Sequence, residues 1–134
     1  MPAPTFSDTS MSRVPAGTAT ETPMSAAIAG TLLAAGAWGT TVADIRQAAV
    51  LLKAGQRRLI LANEIGGPAA ARRLAALLAG YPSAEVHIFV DSVPLAEALV
   101  AAWRERSDLP PLGLLVEFGA GRAGARSTDA ANAI

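Results

Sequence analysis

The residues whose types and spacing best support chemistry lie between Leu114 and Arg126, in the run LLVEFGAGRAGAR. An apolar stretch closes on Glu117, and glycines 119, 121 and 124 then enclose Arg122. Glycine lets the backbone approach a ligand closely and adopt positive φ. The arginine adds a planar fork of donors suited to a phenolate, carboxylate or phosphate. Glu117 stands where it can orient that guanidinium or remain buried as its partner. Glycine-rich turns of this kind also join strand to helix throughout α/β proteins, so the loop must be weighed with the elements around it.

Polar residues recur at the ends of the other apolar runs. Thr40 and Thr41 end the first, Asn63 and Glu64 the second, Asp91 and Ser92 the third, and Glu117 the fourth. Ligands of parallel α/β folds gather beyond the carboxyl ends of the strands, which makes these residues a candidate polar floor. Helix caps and loop starters draw on the same residue types, and Asp91 or Ser92 fits a cap equally well. The single lysine, Lys53, falls in the periodic segment DIRQAAVLLKAG, where it is expected to snorkel from the solvated side of a helix. The single histidine, His87, alternates with Val86 and Ile88 inside an apolar run and reads as a hydrogen-bonded structural residue. Trp38 and Trp103 read as core or interface aromatics. No Ser/His/Asp constellation is visible, and no metal site is expected.

The elements that must position these residues alternate. Residues 25–35 read as a helix, AWGTTVA (37–43) as a strand, 44–54 as a helix and RRLILAN (57–63) as a strand. Gly66-Gly67-Pro68 opens the next helix with the proline near its first position. AEVHIFVD (84–91) is the third strand, followed by a helix with Pro94 just inside its start. LGLLVEFG (112–119) is the fourth strand, and Ser127 caps a final helix. Strands that are nearly continuous apolar runs, separated by helix-length amphipathic segments, indicate parallel βα units with both sheet faces covered. Residues 1–23, rich in Pro, Ser, Thr, Ala and Gly, show no apolar period and are expected to be disordered.

The 134 residues are 51% hydrophobic and 16% charged, with zero formal net charge. That composition can build a core but leaves a sparsely charged surface, and it carries no basic stripe for nucleic acid. There are no cysteines, so disulfides and thiolate metal sites are excluded. The apolar tract Ala26–Ala37 is too short to span a bilayer, begins late for a secretory leader, and reads as a buried helix. A cytoplasmic protein with no membrane partner is expected. Four βα units fall short of the eight strands that close a barrel, and the open sheet edges are expected to promote self-association.

The segments AGAWGTTVAD (35–44), RRLILANEIGGP (57–68), HIFVDS (87–92), the glycine-arginine loop and RSTDAANAI (126–134) together resemble the alanine racemase N-terminal-domain family. The similarity is strongest to its D-threonine aldolase, D-serine dehydratase and bacterial amino acid deaminase branch, and extends over about residues 24–134. The resemblance implies an α/β fold, a partial (β/α)8 TIM-type barrel, and pyridoxal 5'-phosphate (PLP) as the family cofactor. It implies D-amino acids or 3-hydroxy-amino acids as substrates of the intact enzymes. By the same resemblance Arg122, Asn63, Glu117 and Asp91 are the cofactor-side residues, with Arg122 reaching the phenolic oxygen or nearby acidic groups. The family's metal ligands and phosphate-binding loops belong to later parts of those enzymes. The family's imine-forming lysine precedes the Gly-Ala-Trp-Gly match by about fifteen residues, and that position here is Glu21. A carboxylate forms no imine, so no catalytic residue is assigned.

Overall fold

The computed structural model describes residues 26–104, 106–119 and 123–134. The expected disordered segment 1–23, Glu21 and Arg122 lie outside the described residues. Five helices and four strands alternate in the described chain: α1 (Ala26–Ala34), β1 (Thr40–Val42), α2 (Ile45–Lys53), β2 (Arg58–Leu61) and α3 (Gly67–Leu78). They continue with β3 (Glu85–Val90), α4 (Val93–Arg104), β4 (Leu112–Val116) and α5 (Thr128–Asn132).

Local chemistry explains the helix boundaries. The Asp44 carboxylate accepts from the Gln47 amide at 2.9 Å and starts α2, while Gln47 Oε1 accepts from the Ala43 amide at 2.8 Å. This reciprocal arrangement satisfies two backbone donors at once, in the manner of a capping box. Pro68 lies in the first positions of α3, where its missing N–H costs nothing. Ser127 Oγ accepts from the Ala130 amide at 3.1 Å and starts α5. On α2 the buried residues are Ala48, Leu51 and Leu52, the i, i+3, i+4 stripe of an amphipathic helix. On α3 they are Ala70, Ala71, Leu74, Ala75 and Leu78.

The strands form one parallel sheet in the order β1-β2-β3-β4. The order follows the sequence with no reversal, as in a (β/α) barrel; a doubly wound sheet would reverse at a switch point. The chain is an α/β fold and a partial (β/α)8-type barrel, with four strands among the described residues. Register sorts the side chains onto two faces. Thr40, Leu59, Val86 and Leu112 share the helix-facing side, as do Val42, Leu61, Ile88 and Leu114. Thr41, Ile60, His87 and Gly113 share the opposite, inner side. The main core lies between the helices and the helix-facing side, with Leu52, Leu59, Leu61, Leu74, Leu78, Ile88 and Leu99 fully enclosed.

The observed strands are shorter than the apolar runs that encode them. Ala37–Gly39 precede the ladder, and Gly39 lies so close to the Arg58 carbonyl that an added Cβ would be 2.6 Å from its oxygen. At the other end, β4 stops at Val116, although the Glu117 amide still donates to the Val90 carbonyl at 2.9 Å.

Below the sheet, at the amino ends of its strands, Arg57 ties three elements together. Its guanidinium donates to the Leu52 and Gln56 carbonyls at 3.0 and 2.8 Å and lies 5.5 Å from the Tyr81 ring centroid. Trp103 Nε1 donates to the Pro110 carbonyl at 3.0 Å, fixing α4 to the approach of β4.

Candidate functional site at the carboxyl ends of the strands

Parallel strands put Asn63, Glu64, Asp91 and Glu117 at one end of the sheet. The connection after β1 is held first. Ala43 has both backbone groups occupied by side chains, its N–H by Gln47 and its carbonyl by Asn63 Nδ2 at 3.0 Å. Asn63 is therefore a brace between the β1 and β2 exits. Asp91 and Glu117 leave adjacent strands one residue beyond the Val90–Val116 pair, and both are half-buried. Ser92 precedes α4 and its carbonyl accepts from the Ala96 amide at 3.1 Å, so the cap position belongs to Ser92.

The glycine-rich loop folds back on itself. The Ala125 amide donates to the Glu117 carbonyl at 2.7 Å, and the Gly119 amide donates to the Ala125 carbonyl at 3.2 Å. Gly124 has φ of +101°, a left-handed conformation that disfavours a Cβ. An added Cβ there would also lie 2.6 Å from the Gly119 nitrogen. The glycines thus serve close approach, and the group approached among the described residues is the loop's own backbone.

Between the exits of β1 and β2 lies a cleft of about 530 Å³, lined by Asp44, Arg46, Glu64 and Arg73 around Ile45 and Ala70. Arg46 pairs with Asp44 at 3.2 Å. The Gln47 amide, and after it Arg46, hold the Asp44 carboxyl below the ordinary carboxylate value. Glu64 Oε1 is buried without a protein hydrogen-bond partner among the described residues. Sequence reasoning did not single out Arg46 and Arg73. The periodicity marks both as exposed helix positions, and only the lateral packing of α2 against α3 brings them to one cleft.

His87 departs from the expected hydrogen-bonded residue. Its Nδ1 is buried with no protein hydrogen-bond partner among the described residues. The ring meets Trp38 edge to face, with centroids 5.3 Å apart at 70°. Across the ladder it lies over Gly113, where any Cβ would overlap the imidazole. Trp38 accordingly packs on the inner side of the sheet, in keeping with a packing aromatic.

The fit to PLP can be tested on the only lysine. Lys53 is exposed in the last turn of α2. Helices of βα units run antiparallel to the strands, so this end of α2 faces the amino ends of the strands. The nine residues of α2 separate Lys53 from the strand exits by roughly 13 Å of helix. Lys53 does not fit the role of imine anchor at the candidate floor.

No family model matches the sequence, and no curated protein sequence matches it. Among solved structures, the chain is similar to D-threonine aldolase from Filomicrobium marinum, with 28% identity and a TM-score of 0.69. The similarity covers 79% of this chain and 28% of that enzyme's chain. The chain therefore shares its fold with about a quarter of D-threonine aldolase. Among the described residues no helix is long and apolar enough to cross a membrane, and no group of three or more His, Cys, Asp or Glu could hold a metal ion.

Proposed function

We propose that this chain forms part of the wall of a PLP barrel related to D-threonine aldolase and its D-serine dehydratase and deaminase relatives, and that it is catalytically inert by itself. The carrying observation is the uninterrupted parallel order β1-β2-β3-β4, together with the similarity to D-threonine aldolase. In this reading Asn63, Asp91, Glu117 and Arg122 belong to the cofactor side, and D-amino acids or 3-hydroxy-amino acids are the substrates of the intact enzymes. The position of Lys53 argues against covalent attachment by this chain.

The test is incubation with PLP, reduction with borohydride, and measurement of the intact mass. We expect no site-specific adduct and no consumption of D-threonine. A stoichiometric adduct mapped to Lys53 would overturn the reading and reopen catalysis.

A second reading, a non-catalytic interaction module built on half a barrel, is favoured by one observation. Leu114 and Val116 of β4, and Phe118 just beyond it, are exposed apolar residues. A monodisperse protein with one sharp, cooperative melting transition supports the module, because a barrel wall lacking its complement should lose structure gradually.

A further inference from the structure

We draw no further inference here: the strongest candidate, the cleft of about 530 Å³ between the exits of β1 and β2, rests on the amino end of α3 and the exposed Arg73, and the orphaned Glu64 Oε1 in its wall is sealed inside the protein, so nothing in the structure points to a ligand.

Discussion

Asp44 shows how one residue couples local structure to pH. Its carboxylate caps α2 and pairs with Arg46, and both contacts favour the charged form. A folded-state value below the unfolded 3.8 means that the charge contributes stability above that value. The contribution shrinks as pH falls below 3.8 and is gone below the folded-state value. The stability difference between the natural chain and Asp44→Asn, which keeps a capping oxygen, should follow that course in urea titrations at several pH values. The side chain is partly exposed, so the difference at neutral pH should stay under about 1 kcal/mol. Asp44→Ala removes the cap itself and should cost about 1 kcal/mol at neutral pH. His87 and Gly113 make a second residue-scale unit. Gly113→Ala should destabilise by roughly 1–3 kcal/mol, because the new methyl overlaps the imidazole. Adding His87→Ala should return part of that loss, and a double-mutant cycle measures the coupling; strict additivity would show that the ring and the glycine are independent.

At the scale of elements, α3 and α4 hold the sheet through small residues and a few leucines. Leu74 is fully enclosed, and Leu74→Ala should cost about 2–5 kcal/mol in chemical denaturation. That is a large part of the stability of a domain this size. The connection between α4 and β4 depends on the Trp103 indole at the Pro110 carbonyl. Trp103→Phe keeps most of the packing while leaving that carbonyl unpaired, so a loss near 1 kcal/mol is expected in the same assay. The Arg106–Asp108 pair in this connection is bidentate, at 2.8 and 2.7 Å, and exposed, so Asp108→Asn should leave the denaturation midpoint almost unchanged.

For the whole molecule, zero formal net charge meets the exposed apolar residues Leu114, Val116 and Phe118. Solubility against polyethylene glycol should be lowest near the isoelectric point of about 6.6 and rise towards pH 8.5. A flat profile would show that charge does not govern association.

The alternation of elements was legible in the sequence because its signals are local. Asp44, Pro68 and Ser127 act within a few residues, and the apolar runs announce strands without reference to anything distant. The positive φ at Gly124 and the polar exits Asn63, Asp91 and Glu117 were legible for the same reason. Strand ends were overestimated, because the apolar runs continue past the residues that pair, through Ala37–Gly39 before β1 and Glu117–Gly119 after β4. The rest depends on which distant segments meet. Only the register of β3 on β4 places His87 over Gly113, and only the exit of β1 beside that of β2 gives Asn63 the Ala43 carbonyl. The cleft of Arg46 and Arg73 requires α2 and α3 side by side. Above all, the sequence marks Leu114 and Val116 as buried by type, whereas in the tertiary structure both are exposed, because burial depends on which distant segments pack over β4.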